Sequence, residues 1–80
     1  MNRLDGATLE RWCDSRDTSL DVGRAIFEIA DSDDDAARIW QEPTEAEISK
    51  VDCLAWQYAD EDTDTLYWGG TALHRKNEAA

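Results

Sequence analysis

The sequence predicts a mainly α chain, a bundle of three to four short helices, and three observations predict it. Apolar residues recur at spacings of three and four in four separate segments. Three of the four segments, the second to the fourth, start beside a Ser or Thr able to cap them. The apolar share is 41%, with four Trp among 80 residues, which is enough to build a core despite a net charge of −11.

The elements follow in order. The first helix is expected over about Ala7–Arg16, with Leu9, Trp12 and Cys13 on one face. Asp17-Thr18-Ser19 interrupts it. Thr18 or Ser19 can cap the next helix, and Asp21 stands where a capping box places its acid. The second helix, about Leu20–Ala30, carries a Val22, Ile26, Ile29 and Ala30 stripe, and Gly23 on it suggests a close helix contact. Ser32 caps a third helix over Asp33–Gln41, whose first turn holds Asp33, Asp34 and Asp35 where acids complement the helix dipole. Pro43 ends it. Thr44-Glu45-Ala46-Glu47 is a capping box for the longest helix, about Glu45–Ala59.

The tail changes period. Thr65–Trp68 and Thr71–His74 flank Gly69-Gly70, so 65–74 reads as a small C-terminal β-hairpin or, alternatively, as an aromatic coil over the core. Residues from Arg75 onward are expected to fray. Eighty residues fit one domain. Cys13 and Cys53 read as two buried free thiols. The N-terminus lacks the apolar run of a signal peptide, and no segment has the roughly 20 apolar residues a membrane span needs, so the cytoplasm is the expected compartment.

The charge is regional. Between residues 28 and 64 lie thirteen acids and two bases, Arg38 and Lys50, which accounts for the whole −11; outside, six acids balance six bases. Nucleic acid and anionic membranes would repel such a surface, whereas a basic protein surface would attract it. The expected binding residues are Asp31, Asp33, Asp34, Asp35, Glu42, Glu45, Glu47, Asp52, Asp60, Glu61, Asp62 and Asp64. Trp68, expected to be partly exposed beside Tyr67, would be their aromatic anchor. Two plainer readings account for the same acids: solvated helix ends, and adaptation to high salt, suggested by twelve Asp against seven Glu and two Lys against six Arg.

Other chemistry finds little support. Asp31, Asp33, Asp35 and Glu42 match positions one, three, five and twelve of a calcium loop, but Ala36 stands where that loop needs glycine and Pro43 blocks the exiting helix. A capped helix with an acidic first turn explains the segment better. The single His74 has no nucleophile or orienting acid at a recognisable spacing, no zinc pattern occurs, and Gly69-Gly70 is a turn rather than a phosphate loop. The expectation is a non-enzymatic binding protein without cofactor or metal.

In size, charge and the regional acidity of Glu28 to Asp64, the chain resembles the small acidic proteins that phages and mobile elements use against host nucleic-acid machinery, DNA-mimicking anti-CRISPR proteins among them. No motif carries the resemblance. It implies an inhibitor whose acids occupy the basic DNA-binding channel of a host complex. The alternative is a generic adaptor or antitoxin-like module that binds through an apolar patch around Tyr67 and Trp68, its acids serving solubility.

Overall fold

A computed structural model describes residues 5–75. The element order is α1 (Gly6–Asp14), α2 (Leu20–Ile29), α3 (Asp33–Gln41), α4 (Glu45–Tyr58), β1 (Thr65–Trp68) and β2 (Thr71–His74). The fold is thus mainly helical with a C-terminal hairpin, and the coil alternative for 65–74 falls away. Residues 1–4 and 76–80, which include most of the expected frayed tail, lie outside the described residues.

Local chemistry sets the boundaries. The Asp5 side chain caps α1, accepting from the Thr8 N–H at 2.8 Å. That helix ends at Asp14, two residues short of the expected Arg16, because Asp17 adopts a left-handed φ of 51° that turns the chain. Ser32 caps α3, its hydroxyl accepting from the Asp35 N–H. Thr44 and Glu47 form the full capping box of α4. Ser19 holds the N-cap position of α2, but the expected box with Asp21 does not form. The Ser19 hydroxyl instead accepts from the Tyr67 N–H at 2.8 Å, while the Ser19 N–H donates to the Tyr67 carbonyl at 2.8 Å. A helix cap has been given over to docking the hairpin.

The core is centred on α2, which touches α1, α3, α4 and β1. Val22, Ala25 and Ile26 are fully buried, against Ile39 of α3 and Val51 and Ala55 of α4. Burying each large aliphatic side chain contributes roughly 1.5–3 kcal/mol. Gly23 is the close contact its position suggested: a Cβ there would collide with Cys13 Sγ of α1. Trp12 meets Phe27 edge-on, with ring centroids 5.0 Å apart.

Leu66 and Trp68 face the core from β1, whereas Thr65 and Tyr67 point away, the alternation a strand imposes. The two strands are antiparallel, with Trp68 opposite Thr71 and Thr65 opposite His74. Gly69 alone in the turn has positive φ, 60°, the pattern of a type II′ hairpin. Trp68 Nε1–H donates to the Trp40 carbonyl at 2.9 Å. Thr18, the one buried polar residue among those described, accepts from Trp40 Nε1–H at 2.8 Å and the Gly69 N–H at 3.1 Å, and donates to the Arg16 carbonyl. The hydroxyls of Thr18 and Ser19 therefore fasten a hairpin that would be marginal alone.

Candidate interaction surface

The acids divide into two ends. Arg24 of α2 stacks on Tyr58 of α4 at 4.6 Å, and partial burial, with the nearby charge of Asp60 adding, raises the Asp21 carboxyl, so the start of α2 lies near the end of α4. The two helices are antiparallel, and α4, 14 residues long, spans roughly 20 Å between its ends. Asp31, Asp33, Asp34, Asp35, Glu42, Glu45 and Glu47 sit around the ends of α3 and the start of α4. Asp60, Glu61, Asp62 and Asp64 occupy the loop after α4. Asp52 lies between, on α4.

These carboxylates are not equivalent. Arg38 makes a paired contact with Glu47, at 3.1 and 2.6 Å, and its Nε–H donates to Asp35 at 3.1 Å. Glu47 also accepts from the Thr44 N–H at 2.9 Å. The Arg38 hydrogen bonds, reinforced by that of Thr44, hold the Glu47 carboxyl well below its ordinary 4.5, at about 2. The second Asp35 oxygen accepts from the Asp31 N–H. Asp52 accepts from Trp56 Nε1–H at 2.9 Å. Asp35, Glu47 and Asp52 are thus occupied within the fold. The side chains of Asp31, Asp33, Asp34, Glu42, Glu45, Asp60, Glu61, Asp62 and Asp64 are exposed and meet no cation among the described residues.

The loop at 60–64 is nevertheless ordered from behind. Arg75 donates to the Thr63 carbonyl and the Asp60 carbonyl at 3.0 Å each, and its guanidinium stacks on Trp56 at 4.7 Å. Its own N–H bonds the Asp64 carbonyl at 2.9 Å. The expected fraying at Arg75 is corrected by these contacts. Arg75 neutralises backbone dipoles and leaves the side-chain carboxylates pointing outward.

Trp68 does not belong to this surface. It is only 9% exposed, held by its place on the inner face of β1 and by the Trp40 carbonyl. The exposed aromatic is its neighbour Tyr67, at 51%. Strand alternation carried the signal, since adjacent strand residues cannot both face the core. Tyr67 borders a shallow cleft of ≈ 390 Å³ lined by Asp14, Asp17, Thr18, Ser19, Gly69 and Gly70. Its two carboxylates lie outside the acidic window, so a charge count by segment passes over them.

The cysteines part ways. Cys13 is buried, and that burial, with Asp14 adding, raises its thiol to about 11, whereas Cys53 is exposed rather than buried as expected. Cys53 follows Asp52 on an α4 whose apolar residues spread around the helix instead of forming one stripe. The segment from Asp31 to Glu42 is a capped helix with Ala36 in the core. Among the described residues no three His, Cys, Asp or Glu side chains gather as a metal site, and no helix is long and apolar enough to cross a membrane.

Residues 7–78 match the family model of YccJ-like protein. The uncharacterized protein YccJ of Escherichia coli strain K12 is 36% identical over 67 residues, covering 82% of this chain and 81% of that protein, and the YccJ of Shigella flexneri aligns equally well. No solved structure matches. The resemblance to phage and mobile-element inhibitors of the anti-CRISPR type is overturned by these matches; it rested on size and charge, which unrelated chains share, whereas the family match spans residues 7–78. The chain belongs to the YccJ-like family.

Proposed function

We propose that the protein is a non-enzymatic binding protein whose outward carboxylates dock on a basic protein surface that otherwise binds nucleic acid. The observation that supports this reading is the set of nine exposed acids, at 31, 33, 34, 42, 45, 60, 61, 62 and 64, that meet no cation among the described residues. Fixed carboxylates on two ordered ends roughly 20 Å apart present anionic groups to a partner much as a phosphate backbone does. Each exposed pair contributes about 0–1 kcal/mol, so affinity must come from many pairs and weaken steeply with salt. The test is capture of the partner on immobilised protein at low and at several-fold higher salt, with duplex DNA as competitor. A basic, nucleic-acid-binding partner released by both salt and DNA is the expected result. Capture that survives salt and ignores DNA sinks the reading.

That outcome would instead support an adaptor-type module binding through apolar contacts. The observation favouring it is the exposure of Tyr67 and Leu20, at 51% and 47%. A Tyr67→Ala variant would then lose binding at every salt concentration.

A further inference from the structure

We propose that the cleft between the α1–α2 turn and the hairpin turn receives one arginine side chain of the partner, with Tyr67 as its stacking face and Asp14 and Asp17 as its acceptors. The inference rests on the reading of the protein as a binder of a basic surface, and it names a place on the molecule that the acidic window does not contain.

Four observations on different parts of the chain converge there. The cleft is a shallow, open depression of ≈ 390 Å³, bounded on one side by Asp14, Asp17, Thr18 and Ser19 and on the other by Tyr67, Gly69 and Gly70. That is room for a guanidinium and its stem. Its charge is of one sign: Asp14 and Asp17 are both exposed, and neither meets a base among the described residues. The neighbouring cation, Arg16, is spent elsewhere. It donates to the Trp12 carbonyl and to Ser15 Oγ, and lies over the Trp12 ring at 4.3 Å.

Asp14 is the last residue of α1, so the negative end of that helix dipole adds to the carboxylates. An anion drawn to the start of α2 would have to face both acids, which fixes the sign of the ligand. Tyr67 supplies the remaining element. Its ring is half exposed because β1 turns it away from the core, yet its backbone is clamped to Ser19 by two hydrogen bonds of 2.8 Å each. A presented aromatic on a fixed backbone stacks a planar guanidinium better than a hydrated ammonium. The cleft is open beside Gly70, where a Cβ would meet nothing within 4 Å.

The test uses the whole protein and a defined probe, the blocked tripeptide acetyl-Gly-Arg-Gly-amide, with its lysine counterpart as control, followed through the backbone amide resonances. The arginine peptide is expected to shift the amides of Asp17, Thr18, Ser19, Gly69 and Gly70 saturably, and the lysine peptide to bind more weakly. Tyr67→Ala is expected to weaken the arginine peptide about threefold. Asp14→Asn with Asp17→Asn keeps the size of both side chains, and asparagine tolerates the left-handed turn at 17, so the fold is retained while the site is lost. Shifts confined to 31–35 and 60–64, or equal binding of both peptides undiminished in the variants, overturn the cleft. The wider reading fails separately: partner capture that ignores DNA refutes the nucleic-acid-surface proposal even when the cleft holds arginine, and capture displaced by DNA from the Asp14→Asn/Asp17→Asn protein leaves that proposal standing without the cleft.

Discussion

The two acidic ends of this molecule hold similar residues and do different things with them. Around α3 and the start of α4, Asp35 and Glu47 converge on Arg38, Asp35 caps the Asp31 N–H, and Glu47 closes a capping box. In the loop after α4 the roles are reversed. The chain is fixed through its carbonyls by Arg75, and Glu61, Asp62 and Asp64 are left exposed. One end uses Asp35 and Glu47 to hold the fold and leaves its other acids exposed, and the other end uses the fold to hold its acids. A carboxylate count cannot separate the two, because the difference lies in what each oxygen accepts.

The largest expected effect breaks the comparison at the loop. Replacing Asp60, Glu61, Asp62 and Asp64 together by Lys should weaken partner binding about thirtyfold or more, taking roughly 0.5 kcal/mol for each of four exposed pairs. Thermal stability should change little, since Arg75 holds the loop through backbone groups. Titration of captured partner against the variant, beside a melting curve, checks both halves. Unchanged binding with a folded variant would remove this loop from the interaction.

A single substitution at the other end should show the opposite pattern. Glu47→Gln loses the paired contact with Arg38 and part of the capping box, and a fall in Tm on the order of 4 °C is expected. Glu61→Gln should leave Tm where it was. Equal shifts for the two would mean that the Arg38 cluster does not stabilise the fold, and the distinction drawn between the ends would fail.

Acid should reproduce part of the Glu47 effect without any mutation. The carboxyl has a folded value of about 2 against an ordinary 4.5. A lowered value means the folded state binds the proton more weakly than the unfolded state does, so the charged pair stabilises fully above pH 4.5 and loses that contribution as pH falls towards 2. The Tm gap between the wild-type protein and Glu47→Gln should therefore be widest above pH 4.5 and close by about pH 2. A gap that stays constant through that window would show that Glu47 acts by packing rather than by charge.

Much of the fold was legible in the sequence for reasons that belong to short stretches of chain. Thr44-Glu45-Ala46-Glu47 announces a capping box, and the box forms; Asp33–Gln41 is bounded by Ser32 and Pro43, and the helix keeps those bounds. The Gly69-Gly70 turn between period-two segments folds as a hairpin. The errors arise where a residue is claimed by something distant. Ser19 is a good local cap whose hydroxyl is taken by Tyr67, 48 residues away. Trp68 lies next to glycines and acids, which suggested exposure, yet its face of β1 points at α3. Asp14 and Asp17 line one cleft with Tyr67 because Thr18 and Ser19 bind the hairpin, so the cleft has no signature within any one segment.

The smallest effect is expected where the two uses of an acid overlap. Asp33 and Asp34 stand in the first turn of α3, exposed and without a cation among the described residues, so they favour the helix dipole while remaining available to a partner. Asp33→Asn with Asp34→Asn should cost under about 1 kcal/mol of stability, and the loss should shrink as salt rises, because a dipole interaction at the surface is screened. Partner binding should weaken by less than with the four-residue loop reversal, since two charges are removed and none is inverted. A larger loss of binding than of stability would place these acids with the loop. A loss of stability alone would place them with Arg38, Asp35 and Glu47, and would narrow the docking surface towards the loop after α4.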